Sequence, residues 1–468
     1  LEEYKKLIKN IGLLSISNFG SKILIFLLVP LYTNILSTYE YGSYDLVVTS
    51  INLLIPILTL EISSGVLRFA LDKDVNGYNV FTVGLTVTIK GVLGLLAIIV
   101  VNNFINVIPA INDYYIFFIL MYLSNALYQL CSNYARGIDE VKLVAFAGII
   151  QTIFLVLFNI FLLVILELGI SGFFLANIIS LFISAFYLYI KLRLYKINIF
   201  ECEVKLLRTS MINYSRPLVL NSISWWINNT ADRYIVTWMC GIAANGIYSI
   251  AYKIPTIMNS LQSVFLQAWQ ISAVQEFDSN DKRSFYENVY QFYNFGNVIF
   301  CSLIIIFSKA IAHFMFSKDF YDAWIFVPFL LVAYIFGAMS GFIGGIFSAV
   351  KDTKIYSYST IIGAIINIIS NLLLINHIGI LGAAVATMIS YMVIWCIRIL
   401  NAKKYINLRL NLIRDLLSYL MLLLQAMVML KFTSYRLYII EFTLLLILLI
   451  IYKSEIRNFV KIIRNEIK

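Results

Sequence analysis

The sequence is poor in the residues that build most catalytic and metal centres. Its 468 residues include two histidines, His313 and His377, and five cysteines, Cys131, Cys202, Cys240, Cys301 and Cys396, with no paired spacing. Metal ligation needs clustered donors at short spacings, and nucleophilic catalysis needs a base beside its nucleophile. Neither pattern is present, so no catalytic residue, metal site or cofactor is expected. Charge is scarce as well: 13% of residues are charged and 61% are hydrophobic. Ordinary soluble domains are nearer half apolar and about a quarter charged, which excludes that class. The glycine-rich run GFIGGIF at 341–347 lacks the lysine and strand context of a phosphate loop and reads as close helix packing.

What the sequence does have is long apolar runs. About 20 mostly apolar residues span a membrane as one helix. Such windows give about fourteen spans, at 11–33, 42–63, 80–101, 113–134, 143–167, 170–190, 212–238, 246–270, 289–311, 324–347, 355–376, 379–400, 413–432 and 436–452. The chain therefore reads as an all-α polytopic membrane protein. The opening LEEYKKLIKN is charged and has no small-residue cleavage pattern, so the first span is expected to stay as an anchor.

Basic residues test the count, because lysine and arginine gather in cytoplasmic loops. On one side fall Lys5, Lys6 and Lys9, then Arg68, Arg136, Lys142, Lys191 to Arg208, Lys282, Lys351, Arg398 to Arg414 and the basic tail. Opposite them are Lys309, Lys318, Lys431 and Arg436. Both termini are thus expected in the cytoplasm. The net charge of +10 is accounted for by orientation and contact with anionic lipid, without nucleic acid. Apolar residues share one helical face in LEEYKKLIKN and in SEIRNFVKIIRNEIK, as in segments lying on a membrane surface.

The second half repeats the first. STYEYGSYDLVVTSI at 37–51 aligns with GIAANGIYSIAYKIP at 241–255, placing Gly42 over Gly246 and Tyr44 over Tyr248. LFNIFLLVILELGISGFFLAN at 157–177 aligns with ISNLLLINHIGILGAAVAT at 369–387, pairing Asn159 with Asn371, Gly169 with Gly379 and Gly172 with Gly382. The period is about six spans. An even number makes the copies parallel about an axis normal to the membrane. Two six-helix lobes, residues 1–200 and 201–402, are expected, with two further helices and a basic tail at 403–468.

Charges inside spans cost about 2.5–3.5 kcal/mol at a helix centre and mark surfaces facing protein or water. Lys22 and Lys90 fall near mid-membrane, and Lys253 slightly outward. Arg216 sits near the inner end of its span, and Asp232 and Arg233 near the outer end of the same span. Asp45, Glu61 and Glu167 lie near span ends. Polar residues three or four apart form stripes: Ser15, Asn18 and Lys22; Asp45, Thr49 and Asn52; Thr82, Thr86 and Lys90; Asn221, Ser224, Asn228 and Asp232; Ser249, Lys253 and Thr256. Equivalent faces of the two lobes are polar, since Lys253 falls on Thr49 and Thr256 on Asn52. These stripes imply a water-filled cavity lined mainly by spans 1, 2, 7 and 8 with help from span 3, positive at its middle. Such a cavity suits an anionic phosphate or pyrophosphate headgroup. For the Asp232–Arg233 pair, a gate or packing role and substrate contact both stand.

With fourteen spans, the two GxY turns at Gly42 and Gly246, ADRYIV in span 7, AWQISAVQEF after span 8 and GILGAAVAT at span 12, the chain resembles the Wzx-type polysaccharide flippases. That family lies within the superfamily of multidrug and toxin extrusion (MATE) exporters. The resemblance implies a MATE-like fold in a bacterial cell membrane, and alternating-access transport of a polyprenyl-pyrophosphate-linked oligosaccharide for O-antigen or capsule. Membrane lipids and other polysaccharide assembly proteins are the implied partners. Lys22, Lys90, Arg233 and Lys253 would contact the substrate, with Arg216 at an inner gate and Asn18, Asn221 and Asn228 beside them. Asp45, Glu61 and Asp232 are the candidates for coupling or gating. A lipid II-type flippase and a MATE-like exporter remain open alternatives. A membrane polymerase or ligase is disfavoured by the short loops.

Overall fold

The structure, a computed structural model, describes residues 20–72, 74–106, 108–196, 204–275, 282–350, 353–406, 408–432 and 435–457. Ser15, Asn18, the segment LEEYKKLIKN and all but the first four residues of SEIRNFVKIIRNEIK, both expected on the membrane surface, fall outside these. The described residues are helical, with turns and no strand. Among the described residues, ten helices are long and apolar enough to cross a membrane.

Comparison with the fourteen expected spans shows why four others miss that criterion. Span 1 is described only as α1 (Gly20–Ile35). Span 7 lies within α8 (Val204–Cys240), whose asparagines, serines and charges lower its hydropathy. Span 8 is broken into α9 (Ile242–Ala251) and α10 (Lys253–Gln275). The cause is Pro255, which has no N–H to donate to Ala251, the last residue of α9, and whose ring crowds that carbonyl. The last span is α16 (Tyr435–Ile451), with 17 residues.

The chain forms two compact units, Leu1–Thr230 and Ala231–Lys468. The first contains α2 (Thr38–Leu58), α3 (Ile62–Ala70), α4 (Gly77–Ile105), α5 (Tyr115–Gly137), α6 (Val141–Ile165) and α7 (Gly169–Lys191). Helix α2 starts at a capping box: the Ser37 hydroxyl meets the Glu40 amide, and the Glu40 carboxylate meets the Ser37 amide. That exchange satisfies two amides that would otherwise lack partners. The second unit contains α11 (Lys282–Met315), α12 (Val327–Ala349), α13 (Thr353–Ile378), α14 (Leu381–Ala402), α15 (Leu412–Lys431) and α16.

The internal repeat holds at atomic detail. In the first unit α7 packs on both α6 and α5; in the second, α14 packs on both α13 and α12. Gly169 and Gly379, matched in sequence, both adopt left-handed backbone, with φ of 53° and 60°. Gly172 and Gly382, three residues on, sit against the backbone of the preceding helix. A Cβ at Gly172 would lie 3.0 Å from the Leu162 carbonyl oxygen, and one at Gly382 only 2.5 Å from the Leu374 carbonyl carbon. The matched Asn159 and Asn371 are both buried and both donate to the carbonyl one turn back, at 2.7 and 2.8 Å. The run GFIGGIF also packs as read: a Cβ on Gly345 would meet Trp269, whose indole N–H donates to the Phe342 carbonyl at 2.8 Å.

Helix α15 is tied to α11 by polar contacts. Tyr419 donates to Asn294 at 2.8 Å, and Asn294 donates to the Tyr452 hydroxyl at 3.2 Å. Lys309 on α11 donates to the Met429 and Phe432 carbonyls at 2.8 and 3.0 Å and lies over the Trp324 ring. A lysine suits the carbonyl-rich, partly negative end of a helix.

Gly382→Ala should cost about 1–3 kcal/mol, because the added methyl meets backbone that cannot move aside. Gly296→Ala, where no heavy atom beyond its own stretch of helix lies within 4 Å of the added carbon, should be neutral or mildly stabilising. Thermal unfolding of the two purified variants distinguishes these outcomes.

Candidate functional site

In the first unit the end of α2 opens a polar chamber of about 470 Å³. Proline at 56 has no N–H to give the Asn52 carbonyl, and the helix stops at Leu58. Leu60 and Glu61 follow in left-handed conformation, both at φ 53°. Each such residue without glycine's freedom costs about 1–3 kcal/mol, and strain of this kind collects at working sites. The turn delivers the Glu61 carboxylate into the chamber, where it accepts from Ser64 at 2.9 Å and from Ser222 on α8 at 3.2 Å. Along α5, Asn125, Gln129, Ser132, Asn133 and Arg136 line the opposite wall. Ile55, Pro56 and Tyr128 supply its apolar part. Trp226 ties α8 to α2 by donating to the Thr49 carbonyl at 2.9 Å.

In the second unit Asp232 is 2% exposed. Its carboxylate accepts the hydroxyls of Tyr252 at 2.6 Å, Tyr248 at 2.7 Å and Thr387 at 3.3 Å. Arg233 lies 5.1 Å above the Tyr252 ring. The adjacent acid and base thus share one partner, Tyr252, which the acid uses through its hydroxyl and the base through its face. A buried cation, Arg398, is held by Ser359, Thr360 and the Ser340 carbonyl at 2.9–3.0 Å and stacks on Tyr356. Expected among the loop cations, Arg398 is instead 3% exposed inside α14.

The other expected site residues lie on several helices. Lys22 on α1 is exposed, flanked by exposed Ile23 and Leu24. Lys90 is exposed at the midpoint of the 29-residue α4, between exposed Ile89 and Leu93. Arg216 and Asn221 are exposed on α8; Asn228 on the same helix is buried and donates to Ser224 at 3.0 Å. Asp45 is buried in α2. Lys253 is half-buried and opens α10 after the break, not mid-way along a continuous span. Of the coupling candidates, Glu61 enters the chamber and Asp232 the tyrosine cluster. The chamber also takes Asn52 from the expected span 2 stripe. Its α5 wall was not foreseen, although Asn125, Gln129, Ser132, Asn133 and Arg136 have the same three-and-four spacing.

The description "Polysaccharide biosynthesis protein" names the family model that matches residues 7–270, more than half of the chain. The chain belongs to this polysaccharide biosynthesis protein family. A second model, MatE, matches residues 217–373. Among solved structures, the family member is similar to the lipid II flippase MurJ in an inward closed conformation. The TM-score is 0.70 and identity 16%, over 96% of this chain and 99% of that one. It is also similar to an inward-facing multidrug resistance MATE family transporter of the MOP superfamily, at TM-score 0.65 and 13% identity, over 84% and 94%. The outward-facing form of such a transporter gives 0.61 and 13%, over 85% and 95%. No curated protein gives a significant match. The MATE-like fold implied by the family resemblance is thus shown.

Asp232→Asn and Tyr252→Phe should be coupled rather than additive in stability, by about 1–3 kcal/mol. A double-mutant cycle by thermal or denaturant unfolding measures that coupling, and a value near zero would mean the 2.6 Å contact carries no energy.

Proposed function

We propose that this protein is a flippase for a lipid-linked saccharide. It carries a polyprenyl-pyrophosphate-linked oligosaccharide unit from the inner to the outer leaflet of a bacterial cell membrane, for a surface polysaccharide such as O-antigen or capsule. The observation that carries the reading is the family match over residues 7–270, supported by a fold that runs the full length of MurJ. Alternating access provides the mechanism: polar groups shield the headgroup while the polyprenyl chain stays in lipid. Exposed Lys22 and Lys90, with Lys253, Arg233 and Arg216, supply cations for the pyrophosphate. Asn18, Asn221 and Asn228 sit near them in sequence. Asp45, Glu61 and Asp232 are the coupling or gating carboxylates, and both termini face the cytoplasm.

Two other readings have an observation behind them. The MurJ likeness favours a lipid II-type headgroup, and the MatE match favours small-molecule export. Deep lysines argue for an anionic headgroup over a cationic drug.

Expressed in a strain deleted for its own polysaccharide flippase, the wild type should restore surface polysaccharide. Lys22→Ala, Lys90→Ala and Lys253→Ala should each lower it about ten-fold or more, a loss of roughly 1.4 kcal/mol or more of binding, and leave lipid-linked units in the inner leaflet at unchanged protein level. Full complementation by all three variants would refute the lysine assignment. Failure of the wild type alongside restored drug efflux would favour the exporter.

A further inference from the structure

The chamber at the end of α2 differs in chemistry from the lysines. Its charged lining is one carboxylate, Glu61, and one guanidinium, Arg136, so formal charge cancels. Four carboxamides, Asn52, Asn125, Gln129 and Asn133, make up most of the remaining polar lining, with Ser132 and Ser222. A carboxamide presents both donors and acceptors, while an ionised phosphate only accepts. A pyrophosphate in this chamber could use only the N–H half of each carboxamide and would approach the Glu61 carboxylate. A sugar hydroxyl both donates and accepts, so it matches each carboxamide in either sense. It can also donate to Glu61 and accept from Arg136. The Tyr128 ring and the Pro56 ring offer flat apolar surface to the C–H face of a pyranose. The volume of about 470 Å³ lies within the range of small-molecule sites, about 300–1,000 Å³.

We propose that this chamber is the saccharide subsite: it takes a neutral sugar ring of the lipid-linked substrate and not the pyrophosphate. The assignment rests on the flippase reading and adds that sugar and phosphate are recognised by separate groups. Backbone strain at Leu60 and Glu61 supports it, because the left-handed turn is what points the carboxylate into the chamber. Pro56 supports it too, since it leaves the Asn52 carbonyl without its usual helical donor.

The test uses the full chain in lipid nanodiscs and radiolabelled bare polyprenyl pyrophosphate, competed by the same carrier bearing one hexose, one N-acetylhexosamine or one deoxyhexose. At least one sugar-bearing carrier should bind about ten-fold tighter than the bare carrier. Gln129→Leu and Asn133→Leu should reduce that preference to about two-fold or less while leaving bare-carrier affinity unchanged, which also reports that the variants are folded. Equal affinity for bare and sugar-bearing carriers would overturn the subsite and leave the flippase reading standing. Equal weakening of both carriers by the variants would likewise overturn it. If the wild type binds no polyprenyl pyrophosphate at all, the flippase reading falls and takes the subsite with it.

Discussion

A polar group inside an apolar helical bundle has no water to turn to, and leaving it unpaired costs on the order of 1–3 kcal/mol. Much of this protein's architecture answers that constraint. Asp232 takes three hydroxyls, Arg398 takes two hydroxyls and a carbonyl, and Lys309 takes two carbonyls at a helix end. Buried asparagines, serines and threonines turn back on the carbonyl three or four residues earlier, as Asn159 and Asn371 do. In the chamber beside α2 the lining is polar and the space open, so polar side chains there face a cavity and not lipid.

The fold was legible because its signals are long-range averages. Hydropathy over about 20 residues, the side on which lysines fall and an approximately six-span repeat each draw on many residues, so single exceptions do not disturb them. The matched pairs Gly169 with Gly379 and Gly172 with Gly382 were readable for a further reason: each is required by close backbone approach or by a left-handed turn. Span edges were less legible. Pro255 breaks span 8, yet a hydropathy window does not register a proline as a break.

The candidate site was legible only in pieces. Charge inside a span pointed to Asp232, Glu61 and the lysines, but partners come from other helices and leave no mark in local spacing. In sequence Tyr248 reads only as the repeat partner of Tyr44, and Tyr252 as an ordinary aromatic, until the fold brings Asp232 to them. The α5 wall carries no acidic residue and only one cation, at its end, so a search led by charge passed over Asn125, Gln129 and Asn133. Carboxamides are the cheaper way to make a polar surface in a membrane, and they are correspondingly quiet in sequence.

The contacts between α11 and the last two helices bear on biogenesis. Asn294 and Lys309 are on α11, while Tyr419, Met429, Phe432 and Tyr452 come more than a hundred residues later. During synthesis α11 therefore enters the bilayer before its polar partners exist. It must wait at the translocon, or be shielded by lipid headgroups and water, until α15 and α16 emerge. The two C-terminal helices complete the second unit as a late-arriving clasp, and a chain ending near residue 402 would leave a lysine and an asparagine of a membrane helix with those partners missing.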